Sequence, residues 1–304
     1  MRVGVLVDGN GLTLDELFAQ VRPVAGDGLD SAWFNQVLAW DAITVAALCA
    51  REVPGIETGT AITQTYPRHP VALASQALTA QVISGGRFTL GIGPSHRPVI
   101  EGMLGYSYDR PAAHTREYLS ALRPLLRGER ADYHGETITA VGQVDVPGAT
   151  PPPVLVSALG PAMLRIAGEL ADGTITVWAG PQLIADYVVP AITTAAERAG
   201  RPAPRIVAIA PMILTTDPDG ARERAGATPL AGADQLPAYR AVLERQGMVS
   251  ALETLIAGDE RTIEQAVRAY ADAGTTDLVA SLHGDQHDQS RTRDLLSLLR
   301  AAER

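Results

Sequence analysis

Segments typical of β-strands alternate with segments typical of helices along most of this 304-residue sequence. Each strand segment is rich in β-branched or aliphatic residues and ends near Gly, Asn, Ser or Pro. Several are almost continuously apolar, as strands covered by helices on both faces are. The eight predicted strands are Val3–Val7, Ser31–Phe34, Glu57–Ile62, Phe88–Ile92, Pro153–Ser157, Thr174–Trp178, Arg205–Ile213 and Asp277–Ser281.

This eightfold alternation predicts an α/β fold, a parallel (β/α)8 barrel or TIM barrel, with a doubly wound open sheet as the alternative. Two long gaps predict insertions after the fourth and seventh strands. The first is expected to hold a helix from about Pro111 to Leu126 and a hairpin over Tyr133–Ile138. The second is expected to hold a polar, Gly/Ala-rich loop and a helix around Leu236–Arg245. No domain boundary is evident, so residues 1–304 are predicted to form a single barrel domain.

Capping residues mark several helix starts. Thr13 and Glu16 have the spacing of a capping box, and so do Thr262 and Gln265. Pro70 suits the first position of a helix that continues to Ser84.

Composition excludes several kinds of chemistry. The chain carries 25 basic and 34 acidic side chains for a net charge of −9, so no nucleic-acid partner is expected. Every basic side chain is Arg, which removes Schiff-base and P-loop lysines. The single Cys49 lies in an apolar helical run and is expected to be a buried, inert thiol. With no signal peptide and no long apolar run, the sequence predicts a cytoplasmic protein without a membrane partner.

Metal binding is not expected either. His283 and His287 lie close together, but Gly284 weakens any helix that would align them, and a polar surface loop is the favoured interpretation. Gly91 and Gly93 do not make a dinucleotide fingerprint, because the third glycine position is His96.

Chemistry in such a barrel is located where strands end and loops begin. Some of these loops place Gly directly before a predicted helix. Such a Gly either only makes the turn from strand to helix or lets backbone N–H groups at the start of the helix face an anion. Trp33, Trp40 and Trp178 fall near two strand ends, where they either pack in the core or form an aromatic wall for a planar ligand. The candidate loops are residues 8–10, 35–36, 61–64, 91–96, 158–161, 179–181 and 283–285.

A longer motif is more specific. Residues 59–70, with Ala77-Leu78 and residues 83–93, resemble the bacterial luciferase-like monooxygenase superfamily. The likeness is strongest to the branch that uses the deazaflavin coenzyme F420, which includes methylenetetrahydromethanopterin reductase. Residues 171–173, 258–260 and 273–274 extend the resemblance over nearly the whole chain.

The resemblance implies a luciferase-like barrel whose mouth holds a planar flavin-type ring, with a small organic substrate as partner. It also implies a cis peptide bond between Ala61 and Ile62, and relatives of this kind often form homodimers. The cofactor-binding residues that it implies are Ala61, Ile62, Thr63, Gly93, Ser95, His96, Ala158, Leu159, Gly160, Trp178, Ala179 and Gly180.

One departure from the family bears on the reaction. Alcohol-oxidising members carry an Asp-His pair after strand two, where this chain has Asn35 and Gln36. A Gln amide is not a base near neutral pH, so reduction of a polarised C=C or C=N bond is expected instead. Asn35, Gln36 and His96 are the predicted catalytic residues, with the proton coming from His96, Tyr66 or water.

The identity of the cofactor depends on its tail. The F420 tail carries carboxylates that need cationic partners, and Arg68, Arg97 or Arg110 could serve in the absence of Lys. Coenzyme F420 is the expected cofactor. An FMN-dependent monooxygenase or flavin reductase is the first alternative, and a non-catalytic flavin-binding relative is the second.

Overall fold

The computed structural model describes residues 1–36, 38–227 and 234–302. Its strands are β1 (Arg2–Val7), β2 (Ser31–Phe34), β3 (Glu57–Thr60), β4 (Thr63–Gln64), β5 (Phe88–Gly93), β6 (Ala131–His134), β7 (Thr139–Gly142), β8 (Val154–Ser157), β9 (Gly173–Val177), β10 (Arg205–Leu214), β11 (Ile256–Gly258) and β12 (Asp277–Leu282). Its helices are α1 (Leu14–Gly26), α2 (Ala42–Glu52), α3 (Pro70–Ile83), α4 (Pro111–Leu126), α5 (Pro161–Leu170), α6 (Pro181–Leu183), α7 (Val189–Arg198), α8 (Pro218–Ala225), α9 (Pro237–Arg245), α10 (Glu260–Asp272) and α11 (Gln286–Ala302). Pro98–Met103 and Ile184–Val188 are π-helical, and Ala251–Thr254 is a 3₁₀ turn.

A ring of parallel strands forms the centre of the molecule. Its order is β1, β2, β3, β5, β8, β9, β10 and β12, and β12 pairs again with β1 from Arg2↔Asp277 to Leu6↔Ser281. The short β4 pairs with the end of β5, and β11 pairs with the end of β10. The predicted barrel is therefore confirmed over the doubly wound sheet.

Strand boundaries follow the prediction within a residue or two, with one exception. The predicted third strand is interrupted, because β3 ends at Thr60 and the chain pairs again only at β4. A cis peptide bond joins Ala61 to Ile62 at this interruption, as the resemblance implied.

The insertions are partly as predicted. The first contains α4 and the antiparallel hairpin β6–β7. The second contains α9, but α8 and β11 lie where a loop was expected. Asp217, whose side chain accepts from the Gly220 N–H, caps α8 ahead of Pro218 at its first position. Residues 228–233 of the predicted loop lie outside the described residues.

The capping prediction is right for α1 and α3 and wrong for α10. Thr13 caps α1 with a reciprocal bond from Glu16, and Pro70 begins α3. The expected box at Thr262 is instead part of the first turn, because Asp259 caps the helix and accepts from the Thr262 N–H. A carboxylate at the cap position outcompetes a hydroxyl inside the helix.

Alternation along each strand separates two cores. Val3, Val5 and Val7 of β1 pack outward in the large cluster shared with the helices, whereas Leu6 belongs to the barrel interior. Cys49 is buried in that outer core, and burial raises its pKa to about 12, as expected for an inert thiol. The fully buried residues of the interior are Trp33, Leu155, Ile175, Val207, Ile209 and Val279.

Trp33 is therefore a core residue and not part of an aromatic wall. Its indole is fully buried, and its ring nitrogen donates to Ser31 Oγ at 2.9 Å. The Trp33 side chain points into the barrel from β2 and fills its interior. The Arg205 guanidinium carbon lies 5.6 Å from the centre of the Trp33 ring.

Charged side chains close the barrel at the amino ends of its strands. Arg205 donates to both carboxylate oxygens of Asp277, at 2.8 and 2.6 Å, and lies 2.8 Å from Glu57. Asp277 is only 2% exposed, and Arg2 lies 3.4 Å from it. Buried charges of this kind are tolerated only when paired.

Removing one partner of this network should destabilise the whole barrel. Arg205→Met leaves Asp277 buried without its bidentate partner, and we expect a loss of about 3–5 kcal/mol in the free energy of unfolding. Urea denaturation measures it. The matched control is Arg22→Met, which breaks an ion pair whose side chains are 55% and 44% exposed, with an expected loss under about 1 kcal/mol. Equal losses in both variants would contradict a structural role for the network.

Candidate functional site

The carboxyl ends of the strands meet at one end of the barrel, which we call its mouth. Strand alternation turns Asn35, Ala61, Gly93, Ser157 and Val177 inward at this level, and these side chains are small or uncharged. Four members of the interior cluster, Leu6, Ala61, Ile62 and Val177, are only partly buried. The barrel interior is therefore open to solvent at its mouth through an apolar floor.

The loop after β5 carries two predicted site residues in a constrained turn. Ser95 has a left-handed backbone conformation with a φ of 62°, which is uncommon for a residue with a side chain. Tyr108 from the first insertion donates its hydroxyl to the Ser95 carbonyl at 2.5 Å. Gln64 lies 3.5 Å from Ser95 Oγ. These contacts fix the position of the next residue, His96.

His96 contacts a residue that the sequence did not point to. Its Nε2 lies 3.2 Å from the Tyr239 hydroxyl, and the two rings meet edge to face with centres 4.8 Å apart. Burial lowers the pKa of His96 and raises that of Tyr239 to about 12. At neutral pH the pair is therefore an uncharged imidazole beside a protonated phenol.

The loop after β9 is the second constrained turn. Trp178 has a φ of 59° and packs its ring against Tyr239, with centres 4.6 Å apart. Gln246, directly after α9, holds this loop. Its amide nitrogen donates to the Trp178 carbonyl at 2.8 Å, and its carbonyl accepts from the Gly180 N–H at 2.7 Å. Because the Gly180 N–H is engaged in this way, it is not available to an anion.

The loop after β8 differs from the Gly180 turn. Helix α5 begins after Gly160 without a side-chain cap, and a Cβ placed on Gly160 would meet no atom within 4 Å. Ala158 is buried, and Leu159 is half-buried beside it. The N-terminus of α5 therefore presents uncapped backbone N–H groups next to open space.

Asn35 and Gln36 follow strand β2, and the Gln36 side chain is bonded to the start of α2. Its Oε1 accepts from the Ala42 N–H at 2.9 Å and from Arg68 at 3.3 Å. Arg68 is paired with Asp41, the cap of α2. Asn35 is half-buried and has no such engagement among the described residues.

The arginines proposed for a cofactor tail are all paired in this structure. Arg68 is held by Asp41, and its side chain is 17% exposed. Arg97 pairs with Glu101, and Arg110 pairs with Glu136, in both cases at the surface. Trp40, a candidate for an aromatic wall, is 38% exposed and donates to the Leu12 carbonyl instead.

Two further aromatic residues, Tyr66 and His114, lie at the loop after β4. Tyr66 stacks on His114, with ring centres 3.9 Å apart, and lies 5.6 Å from Tyr108. His114 Nε2 lies 3.1 Å from Thr65 Oγ1. The neighbouring Thr63 is fully buried, and its hydroxyl has no hydrogen-bond partner in the described part of the chain.

A cavity of about 180 Å³ adjoins the mouth beyond Trp178. Pro211, Ile256 and Tyr270 line it together with Gln246. No cluster of three or more potential metal ligands occurs in the described ranges. None of the helices described there is both long and apolar enough to cross a membrane.

Known proteins match this chain over most of its length. The profile of the Luciferase-like monooxygenase family matches residues 1–284. A 5,10-methylenetetrahydromethanopterin reductase of Methanolobus tindarius is 30% identical over 235 residues, 76% of this chain and 71% of that protein. An F420-dependent glucose-6-phosphate dehydrogenase of Nocardia farcinica is 31% identical over 278 residues, 85% of this chain and 80% of that protein.

Solved structures confirm the fold. The coenzyme F420 dependent tetrahydromethanopterin reductase from Methanopyrus kandleri has a TM-score of 0.78 at 22% identity, over 97% of both chains. The oxygenating constituent of 3,6-diketocamphane monooxygenase from Pseudomonas putida, in complex with FMN, has a TM-score of 0.75 at 16% identity. This second match covers 98% of this chain and 97% of the other.

Buried His114 should make the protein sensitive to acid. Burial lowers its pKa from 6.5 to about 4, so the unfolded chain binds a proton that the folded chain refuses. Its contribution to stability is therefore lost as the pH falls from about 6.5 to about 4, by up to about 3 kcal/mol.

Urea unfolding at pH 7.5 and pH 4.5 tests this. We expect the stability difference between the two pH values to shrink in His114→Gln. It should persist in His134→Gln, whose imidazole is 67% exposed. An unchanged difference in His114→Gln would rule out His114 as the source.

Proposed function

Because the chain belongs to the luciferase-like monooxygenase family of enzymes, we propose that it is a coenzyme F420-dependent oxidoreductase that reduces an activated C=C or C=N bond. The observation that carries this proposal is the solvent-open apolar floor at the barrel mouth, at Ala61, Ile62 and Val177. A flat, uncharged heterocycle is the ligand that such a floor suits. The F420 dependence named for the Nocardia farcinica relative supports the choice of coenzyme.

The residues present fit a planar ring with an anionic tail. The floor would contact the ring. A Cβ on Gly93 would crowd Ile62 at 3.0 Å and Ser157 at 3.2 Å, so a larger residue there would require these neighbours to shift. The uncapped N-terminus of α5 beside Gly160 would hold a phosphate through backbone N–H groups. Once bound, reduced F420 supplies a hydride.

The groups around the floor favour substrate reduction over alcohol oxidation. Alcohol oxidation needs a base, and the Gln36 carbonyl is bonded to Ala42 and Arg68. Reduction needs a hydrogen-bond donor to polarise the substrate and a proton to complete the product. We assign the role of donor to the Asn35 amide and the role of proton source to His96.

An FMN-dependent enzyme is the second candidate, favoured by the FMN complex that shares this fold. The two cofactors differ in their tails, because only the F420 tail carries carboxylates beyond the phosphate. Exposed ion pairs contribute little and exchange readily, so Arg97 and Arg110 remain able to bind tail carboxylates. Arg68 is less suited, since Asp41 and Gln36 hold it. A small organic substrate, a homodimer, a single domain over residues 1–304 and a cytoplasmic location stay predictions from the sequence.

Parallel titrations test the choice of cofactor. We expect F420 fluorescence to change on binding with low-micromolar affinity or better. FMN should bind more weakly, because it lacks the tail carboxylates that Arg97 and Arg110 can bind. Purified protein that carries FMN and gives no response to F420 would contradict the proposal.

A substrate panel tests the direction of the reaction. Reduced F420 should be reoxidised in the presence of cyclic enones or imines, followed by the return of F420 absorbance. Secondary alcohols should give little reduction of oxidised F420, because the strand-two base is missing. Turnover of alcohols alone would refute the assigned direction.

Gly160 should matter for binding and not for folding. Gly160→Phe fills the open space beside the α5 N-terminus, so the F420 dissociation constant is expected to rise at least about 10-fold. The thermal midpoint should barely change. Gly26→Phe, at another open position at the end of α1, controls for added bulk. Unaltered affinity in Gly160→Phe would mean that the loop is only a turn.

A further inference from the structure

We propose that Tyr239 is a positioning residue that orients His96 and returns a proton to it during substrate reduction. This inference rests on the proposed function and extends it to the insertion after β10. Tyr239 lies on α9, far in sequence from every predicted site residue of the loop after β5. The contact joins residues 143 positions apart.

Geometry assigns the role first. The Tyr239 hydroxyl contacts His96 Nε2 at 3.2 Å, which leaves Nδ1 without a partner among the described residues. A phenol that donates to Nε2 selects the tautomer with its proton on Nδ1. His96 thereby keeps a ring N–H for the substrate.

The surroundings of Tyr239 hold its side chain between two constrained turns. Among the described residues, the positive-φ positions other than glycine are Ser95 and Trp178. Ser95 directly precedes His96, and the Trp178 ring packs on Tyr239. Such conformations persist only where neighbouring contacts impose them, and they cluster at functional sites. Tyr239 is the side chain that bridges the two turns.

A second set of bonds anchors the helix that carries Tyr239. Gln246 follows α9 and bonds both the Trp178 carbonyl and the Gly180 N–H. The end of α9 is thus tied to the loop after β9. The helix that carries Tyr239 is thereby held next to the Trp178 turn.

Protons and electrons balance in this scheme. Reduced F420, when bound, would supply a hydride to the electrophilic carbon of the substrate, and the π electrons of the C=C or C=N bond would move to its other atom. That atom takes the Nδ1 proton of His96 and forms the second new bond to hydrogen. Nε2 takes the phenolic proton of Tyr239, so the imidazole stays neutral. Nδ1 then takes a proton from water, and Nε2 returns its proton to the Tyr239 phenolate, which restores the starting tautomer.

Tyr239→Phe tests the role of the hydroxyl with little loss of packing, since the ring contacts to His96 and Trp178 remain. We expect kcat for enone reduction to fall about 10- to 100-fold, with KM and F420 affinity within about 2-fold. The solvent deuterium isotope effect on kcat should rise, because proton delivery becomes slower. Tyr106→Phe, an exposed tyrosine of the other insertion, is the control and should behave as wild type.

A double-mutant cycle separates relay from packing. If Tyr239 acts through His96, Tyr239→Phe has no further effect on kcat in a His96→Gln background. Additive losses, or an unchanged kcat in Tyr239→Phe, would overturn the inference. Wild-type protein that fails to bind or oxidise reduced F420 would instead overturn the proposed function.

Discussion

The packing of Trp33 inside the barrel decides where a ligand can bind. Its indole occupies the interior so fully that a Cβ on Gly59 would lie 2.6 Å from the ring, and the Arg205 network closes the barrel beneath it. On the neighbouring strand, a Cβ on Gly91 would lie 1.9 Å from the Thr60 carbonyl oxygen. The amino half of the barrel is therefore solid, and free space begins only above the Trp33 layer. Small inward residues such as Ala61 and Gly93 keep that space open.

The strands and the insertions contribute different parts of the site. Strand ends supply the apolar floor at Ala61, Ile62 and Val177. The polar groups above it come from longer loops: Tyr108 from the first insertion bonds Ser95, and Tyr239 from the second bonds His96. A change in the insertions would thus alter the reacting groups while leaving the floor intact. This division is what allows one barrel to support different chemistries.

The sequence predicts those elements whose structure depends on neighbouring residues in the chain. Seven of the eight predicted strands, helix α4 and the presence of a hairpin follow from periodicity and turn residues and are confirmed. The hairpin strands extend beyond the predicted residues 133–138, and the third strand stops at Thr60. Trp33 was assigned ambiguously because its nearness to a strand end hid its inward direction, which is set by alternation with Phe34. Thr262 has the spacing of a cap because Gln265 follows it, but the Asp259 carboxylate caps the helix in its place. Tyr239 carries no signal of its own, since only the closed barrel brings α9 over His96. The cis bond at Ala61-Ile62 came from resemblance and not from the residues themselves.

Charge distribution explains why the proton source matters so much at this site. Arg68, Arg97 and Arg110 are already paired with carboxylates, and the floor at Ala61, Ile62 and Val177 is apolar. In such surroundings an isolated charge is poorly stabilised, so an imidazolium at His96 is disfavoured and its pKa falls. A neutral imidazole is a weak acid on its own. It becomes an effective donor only if its other nitrogen gains a proton as the first leaves, and the Tyr239 hydroxyl is placed to supply that proton. The same desolvation that suits a flat ring thus makes a partner for His96 necessary.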